Sequence, residues 1–151
     1  MSKKPKVLFL CTGNSCRSQM AEGWTRHFHS AAIEAYSAGI ETHGLNPFAV
    51  EAMKEAGADI SGQRSKNVME LLDVSFDYVV TVCGDADERR PFFPGQTRVL
   101  HVGFDDPPKL ALLEETEEGK MNCYRRVRDE IRAFIKDLPG FLENLPEEKR
   151  S

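Results

Sequence analysis

A cysteine and an arginine separated by five residues follow the first apolar run, and this arrangement constrains the fold more than any other feature of the sequence. Residues 7–11 are a short apolar run, which is typical of a strand buried on both faces of a sheet. Polar residues 12–14 end the run, and helical spacing of apolar side chains begins at about Arg17. Because a buried strand leading through a short loop into a helix is the unit of parallel α/β sheets, we expect that class of fold.

The same alternation of strand and helix continues along the chain. Apolar spacing predicts further strands at residues 33–38, 78–82 and 98–102, and helices at residues 17–28, 47–56 and 122–138. The acidic stretch at residues 113–119 is interpreted as a solvated loop. These elements predict one α/β domain over residues 1–151, a three-layer sandwich around a four-stranded parallel sheet with flavodoxin-like layering. Its core is expected at about residues 6–138, with flexible segments at residues 1–5 and 144–151.

Composition and charge argue against several classes of protein. The 151 residues include 20 Lys or Arg and 24 Asp or Glu, and the net charge of −4 argues against a nucleic-acid partner. No apolar run approaches the ~20 residues of a membrane span or the ~7–15 of a signal peptide. We therefore expect a cytoplasmic protein without a membrane partner, in a compartment where thiols stay reduced. The 4 cysteines are too few for a disulfide scaffold.

The loop between Cys11 and Arg17 has the chemistry to bind an oxyanion. Successive backbone N–H groups in so tight a loop point inward, and the start of the helix adds partial positive charge. Arg17 can hold an anion of phosphate size through two parallel hydrogen bonds. The same field favours the thiolate of Cys11, which is the nucleophilic form, although Cys11 could also simply end a core strand. The predicted oxyanion-binding residues are Thr12, Gly13, Asn14, Ser15, Cys16, Arg17 and Ser18.

Two further features are expected at the same edge of the sheet. The loop at residues 103–108, which contains Asp105 and Asp106, follows the predicted strand at residues 98–102, and a carboxylic acid in it could protonate a departing oxygen. Asp-Asp-Pro is also an ordinary loop sequence, so both interpretations stay open. Cys83 ends the predicted strand at residues 78–82 and is either a buried strand-end cysteine or a resolving thiol that attacks an adduct on Cys11.

The remaining cysteines and the histidines give weaker signals. Cys16 is interpreted as a structural residue of the loop. Cys123 is interpreted as a helix residue, with an exposed reactive thiol as the alternative. No pair of cysteines or histidines has the spacing of metal ligands, so no metal site is predicted.

Several sequence blocks together carry a family signature. Cys-Thr-Gly-Asn-Ser-Cys-Arg-Ser-Gln-Met-Ala-Glu-Gly at residues 11–23 is the longest, and Gly-Phe-Asp-Asp-Pro at residues 103–107 contains Asp106. Together with the other blocks they resemble the thioredoxin-coupled arsenate reductases that are built on the low-molecular-weight tyrosine phosphatase fold. Gln19 and Pro108 stand where the phosphatases usually have proline and an aromatic residue. The other blocks are residues 36–44, 46–47, 52–53, 80–83 and 126–131.

The resemblance implies a mechanism. Cys11 would attack arsenate held by Arg17 while Asp106 protonates the leaving oxygen. Cys83 would then attack Cys11, which releases arsenite and forms a Cys11–Cys83 disulfide. No bound cofactor is implied, and an external thiol reductant of the thioredoxin or glutathione/glutaredoxin type would reduce the disulfide. The expected partners are therefore an arsenate or phosphate oxyanion and such a reductant, and we expect a monomer.

Arg90 is the main departure from this family. It stands seven positions after Cys83, where the family's third cysteine normally passes the disulfide to thioredoxin. A reductant could act directly on the disulfide, or Cys123 could replace the missing thiol. Two other functions stay open, a low-molecular-weight protein tyrosine phosphatase that hydrolyses aryl phosphates through a phosphocysteine, and a non-catalytic oxyanion or redox sensor.

Some members of this family also bind potassium beside the loop. The resemblance places three of the ligands at Asn14, Glu22 and Ser37, and an acidic residue after residue 61 completes the site in those relatives. This chain has Arg64 and Lys66 in that segment. A side-chain cation is therefore expected to replace the metal ion.

Overall fold

A computed structural model describes residues 4–82 and 97–144 of the chain. In these residues four strands form one parallel sheet in the order β2-β1-β3-β4. The predicted α/β class and the four-stranded parallel sheet are confirmed. The strands are β1 (Lys6–Cys11), β2 (Glu34–Gly39), β3 (Tyr78–Thr81) and β4 (Arg98–His101). The helices are α1 (Arg17–His29), α2 (Pro47–Glu55), α3 (Pro107–Ala111), α4 (Glu117–Lys136) and α5 (Leu138–Glu143), and a 3₁₀ turn lies at Val68–Leu71.

Helix α4 begins earlier than the apolar spacing predicts. The predicted start at residue 122 is wrong, and so is the loop assigned to the last residues of 113–119. Thr116 caps the helix, because its hydroxyl oxygen accepts a hydrogen bond from the Gly119 N–H at 2.9 Å. The two glutamates of the first turn lie where the helix dipole favours negative charge. The acidic residues therefore stabilise the start of a helix.

Two short helices carry no periodic signal in the sequence. Helix α3 has 5 residues and helix α5 has 6, which is less than two turns. Leu142 on α5 is nevertheless buried in the main core, so the core extends beyond residue 138. In the part of the chain that the structure describes, no helix combines the length and the apolar character needed to cross a bilayer.

Strand β1 lies in the middle of the sheet and is packed on both faces. Val7 and Phe9 contact the core under α1, α2 and α4, whereas Leu8 and Leu10 contact the smaller core that includes Phe76. All four of these β1 side chains are fully buried. Because the strands are parallel, the C-terminal ends of β1, β3 and β4 lie at one edge of the sheet, and this edge carries the candidate site.

Candidate active site

The loop after β1 turns its backbone carbonyl groups outward. Each carbonyl from Cys11 to Cys16 accepts a hydrogen bond from a group that flanks the loop, at 2.9 to 3.3 Å. In a trans peptide the C=O and the following N–H point in opposite directions, and the described residues contain no cis peptide bond. The N–H groups of residues 12–17 therefore point inward, which is the geometry of a backbone nest. The donors, from Cys11 O to Cys16 O, are Ile40 N, Glu41 N, His43 N, Gln19 Nε2, Asn46 N and Met20 N.

Asn14 provides the bend that closes this loop. Its φ angle of +48° lies in the left-handed region, which asparagine tolerates better than most residues. Its side chain is buried, and Oδ1 accepts hydrogen bonds from Lys66 N at 2.7 Å and Gln19 Nε2 at 3.0 Å. Asn14 Nδ2 donates to Ser18 Oγ at 2.8 Å. In this bond the Ser18 hydroxyl oxygen is the acceptor, so the bond does not use the hydroxyl hydrogen of Ser18.

Two amide side chains, Gln19 and Gln63, connect the loop to residues 63–66. Gln19 is fully buried, and its Nε2 also donates to Asn14 O and Arg64 O at 3.0 Å each. Gln63 Nε2 donates to Gln19 Oε1 at 2.8 Å and to Gln19 O at 3.0 Å. The sequence marked Gln19 only as a difference from the phosphatases, whereas the structure makes it a support of the loop.

The two cysteines of the loop, Cys11 and Cys16, lie beside each other. Both residues are buried, and both line the cleft at the end of β1. Burial raises the pKa of the Cys16 thiol well above its usual value, the charge of Cys11 raises it further, and Arg17 opposes both effects. Cys16 therefore stays a neutral thiol near pH 7, and the positive field of the loop acts on the Cys11 sulfur.

Arg17 lines the cleft, and its guanidinium group is only partly hydrogen-bonded by the described residues. Its Nη1 donates to Phe104 O at 3.0 Å, and its Nη2 lies 3.6 Å from Asp106 Oδ1. Its Nε is buried and has no hydrogen-bond partner in the described part of the chain. Leaving such a donor unsatisfied costs about 1–3 kcal/mol. The edge formed by Nε and Nη2 therefore suits a bidentate oxyanion, as the sequence predicted for Arg17.

Asp106 lies at the N-cap of α3 but does not cap it. No backbone N–H of α3, all of whose residues are described, donates to the Asp106 carboxylate. An N-cap side chain normally accepts from the second or third residue of its helix. The second residue here is Pro108, which has no N–H. The Asp106 carboxylate is instead directed toward Arg17 and lines the cleft with Cys11, at the edge where the sequence predicted it.

The walls of the cleft include three residues that sequence reasoning did not assign to the site: His43, Asn46 and Pro108. Asn46 caps α2, because its Oδ1 accepts a hydrogen bond from Phe48 N at 2.8 Å. Its own N–H also bonds the loop, and its Nδ2 donates to Tyr124 OH at 3.1 Å. His43 and Asn46 lie in the loop between β2 and α2, and Pro108 lies on α3; no spacing in the sequence indicated that they line the cleft. The other lining residues are Cys11, Thr12, Gly13, Ser15, Cys16, Arg17 and Asp106.

A lysine lies at the position where the family resemblance expects a cation. Lys66 Nζ is 4.0 Å from Glu22 Oε1 and donates to Arg64 O at 2.7 Å. Glu22 is buried and also accepts from Ser37 Oγ at 2.6 Å and from Arg26 Nε at 2.8 Å. Of the two expected cations, Lys66 is therefore the one beside Glu22.

Of the other two cysteines in the predicted mechanism, one, Cys123, is among the described residues. Cys83 and Arg90 lie outside those residues. Cys123 is half-buried on α4, its Sγ donates to Gly119 O at 3.5 Å, and it is not one of the described residues that line the cleft. Across residues 4–82 and 97–144, no three His, Cys, Asp or Glu side chains are grouped as metal ligands.

The described residues form an α/β protein in which a strand-end cysteine, a loop of inward-pointing backbone amides, one arginine and one carboxylate line the same cleft. Residues 6–151 match the low molecular weight phosphotyrosine protein phosphatase family, and the chain belongs to that family.

Named relatives within this family are arsenate reductases. The arsenate reductase of Shouchella clausii (strain KSM-K16) is 54% identical over 137 residues, which cover 90% of this chain and 95% of that protein. A solved arsenate reductase in the phosphate binding state superimposes with a TM-score of 0.67 at 28% identity, covering 91% of this chain and 98% of the other. The thioredoxin-dependent arsenate reductase Cg_ArsC1' of Corynebacterium glutamicum gives a TM-score of 0.67 at 27% identity, covering 94% of this chain and 63% of the other.

Proposed function

We propose that this chain is an arsenate reductase that forms a thiol–arsenate adduct on Cys11 and is recycled by an external thiol reductant. One observation carries the proposal most directly. Arg17 Nε is a buried donor without a partner among the described residues, beside a loop whose N–H groups point inward. A tetrahedral oxyanion would satisfy both sets of donors. The relatives' activity then selects arsenate among the oxyanions of that size.

The first chemical step uses three residues of the cleft. The Cys11 thiolate attacks the arsenic atom, and an As–O bond breaks as Asp106 transfers a proton to the departing oxygen, which leaves as water. Arg17 and the inward N–H groups balance the negative charge of the remaining arsenate oxygens. The product is a covalent Cys11–arsenate adduct, in which arsenic is still in the +5 state.

The redox step needs a second thiol, and we assign it to Cys83. The Cys83 thiolate attacks the Cys11 sulfur, a disulfide forms, and the electron pair of the S–As bond leaves with arsenic as arsenite. Arsenic gains two electrons, and the two thiols lose them. A dithiol of the thioredoxin type, or glutathione with glutaredoxin, then supplies two electrons and two protons to restore both thiols. We further propose that the protein acts as a monomer in the cytoplasm.

Recycling has two possible routes because Arg90 replaces the family's third cysteine. The reductant can attack the Cys11–Cys83 disulfide directly, or Cys123 can pass the disulfide on. Loss of turnover in Cys123→Ser, with a normal first turnover, would favour the second route. Normal turnover in that variant would favour the first.

Arsenite release under multiple turnover with a thiol reductant tests the proposal. Cys83→Ser should form the adduct but release no arsenite even in a first turnover, whereas the matched variant Cys123→Ser should complete the first turnover under either route of recycling. Mass mapping of disulfides after arsenate treatment should find Cys11 joined to Cys83. Full multiple turnover in Cys83→Ser would show that the resolving role is wrong.

Phosphatase activity is the second candidate, because Cys11, Arg17 and Asp106 are sufficient for phosphocysteine chemistry. Hydrolysis of an aryl phosphate that depends on Cys11 but not on Cys83 or Cys123, together with no arsenite release, would favour it. A protein that binds phosphate but shows neither activity would be the oxyanion or redox sensor.

A further inference from the structure

The His43 side chain packs against Gly13, and both residues line the cleft. The His43 N–H donates to Gly13 O at 3.0 Å. A Cβ atom added to Gly13 would lie 2.3 Å from His43 Nδ1 and 2.8 Å from His43 Cγ. The imidazole therefore occupies the space that any side chain at residue 13 would need, and the two residues depend on each other.

Glu41 holds the imidazole in this position. Its Oε2 lies 2.7 Å from His43 Nε2, and its backbone N–H donates to Thr12 O at 2.9 Å. A carboxylate only accepts, so the His43 Nε2 must carry a hydrogen, and Nδ1 is the nitrogen that faces Gly13. Backbone N–H groups of residues 40, 41 and 43 donate in turn to the carbonyls of residues 11, 12 and 13, and these bonds fix the imidazole beside the loop.

We propose that His43, held by Glu41 against Gly13, is a specificity-determining residue that restricts the pocket to unsubstituted tetrahedral oxyanions and disfavours aryl esters. The inference names the substrate class of the same cleft, and to that extent it rests on the proposed function. It concerns the rim of the pocket, whereas the adduct chemistry concerns its base.

The argument follows from the direction of the leaving group. In-line attack by Cys11 places the leaving oxygen opposite the sulfur, toward the mouth and Asp106. The leaving oxygen of arsenate is small, but that of an aryl ester carries a ring that must lie against the rim. There the ring would meet His43, which lines the cleft and is paired with Glu41. The side chains of His43 and Glu41 are 53% and 48% exposed, so the ring would remove water from them. An inorganic oxyanion does not extend that far.

Binding of two non-reacting probes tests the inference. Inorganic phosphate reports on the base of the pocket, and phenylphosphonate adds a ring at the rim, with both affinities measured by calorimetry on the reduced protein. In His43→Ala the affinity for phenylphosphonate relative to phosphate should rise about tenfold, the scale of discrimination by one steric group. Glu41→Gln should give a smaller rise in the same direction. Thr42→Ala, an exposed neighbour on the same segment, should leave the ratio unchanged.

Gly13→Ala provides a second test, because its new Cβ must displace the imidazole. This variant should raise the ratio as His43→Ala does, and combining the two changes should raise it no further. An unchanged ratio in His43→Ala would overturn the proposal, because the imidazole would then not disfavour the ring. A lower ratio would also overturn it, because the ring would then gain from the imidazole. Independent, additive effects of the two changes would also overturn it. Neither readout requires arsenite formation, so failure of the reductase assignment would be recognised separately.

Discussion

Replacing Gln19 by leucine tests how the oxyanion loop is held. The Gln19 amide group is fully buried and donates to Asn14 O, Asn14 Oδ1 and Arg64 O. Leucine has a similar volume, so the variant removes the hydrogen bonds without leaving a large cavity. The expected effect is on the loop and not on the packing of α1.

The hydrogen bonds that remain set the size of the effect. Asn14 Oδ1 would still accept from Lys66 N, Arg64 O would still accept from Lys66 Nζ, and Gln63 Nε2 would still donate to Gln19 O. Asn14 O would lose the one donor found for it among the described residues. One orphaned buried carbonyl costs about 1–3 kcal/mol, and weakened bonds at the other two acceptors bring the expected loss to about 2–4 kcal/mol.

Urea unfolding of the reduced protein, with and without phosphate, measures this loss. At a given concentration, phosphate stabilises the folded protein more when its affinity is higher, so a loop that has relaxed at Asn14 should also show a smaller gain in stability on adding phosphate. Gln63→Leu is the matched control, because Gln63 is partly exposed and water can replace its bond, for a loss of about 0.5–1.5 kcal/mol. A Gln19→Leu variant that loses no more stability than Gln63→Leu and binds phosphate normally would refute the reasoning.

Two further predictions concern residues beside the cleft. Lys66→Met should lower the free energy of unfolding by about 1–3 kcal/mol, because the buried Glu22 loses a nearby cation. KCl should restore part of this lost stability, and an equal concentration of tetramethylammonium chloride should not. Equal restoration by both salts would contradict a specific cation site. Pro108→Ala adds an N–H that can capture the Asp106 carboxylate, so it should slow aryl phosphate hydrolysis about tenfold or less while stabilising α3 by about 0.5–1 kcal/mol. Pro107→Ala is its control, since an N-cap side chain does not bond the first residue of its helix, and equal rates in the two variants would contradict the argument.

The sequence predicted the base of the pocket because that part is local. Cys11 and Arg17 are separated by one loop, and the rule that parallel strands end at the same edge was enough to bring Asp106 near them. Loop closure and strand order are encoded in spacing and in short apolar runs. The sheet and the oxyanion nest could therefore be predicted from these patterns alone.

The rim and the supports of the loop could not be predicted in this way. His43 and Gln63 act on the loop through contacts across the fold, and neither belongs to a periodic pattern that marks it. The early start of α4 was missed for a related reason, because the capping residue Thr116 precedes a polar first turn without core residues. Contacts of this kind depend on where separate elements meet.

The cleft concentrates positive charge, and this connects the stability of the loop to its proposed function. Inward N–H groups of residues 12–17, the Arg17 guanidinium and the start of α1 all place positive charge around one small space. Only the Cys11 sulfur and the Asp106 carboxylate oppose it within the described cleft, and Asp106 is 3.6 Å from Arg17, too far for a strong hydrogen bond. The fold maintains this arrangement through outward bonds on every loop carbonyl and through Asn14. Under the proposed function, an oxyanion that enters would gain binding energy from donors that folding has already positioned, and the same donors would remain in place as charge shifts onto the oxyanion during attack by Cys11.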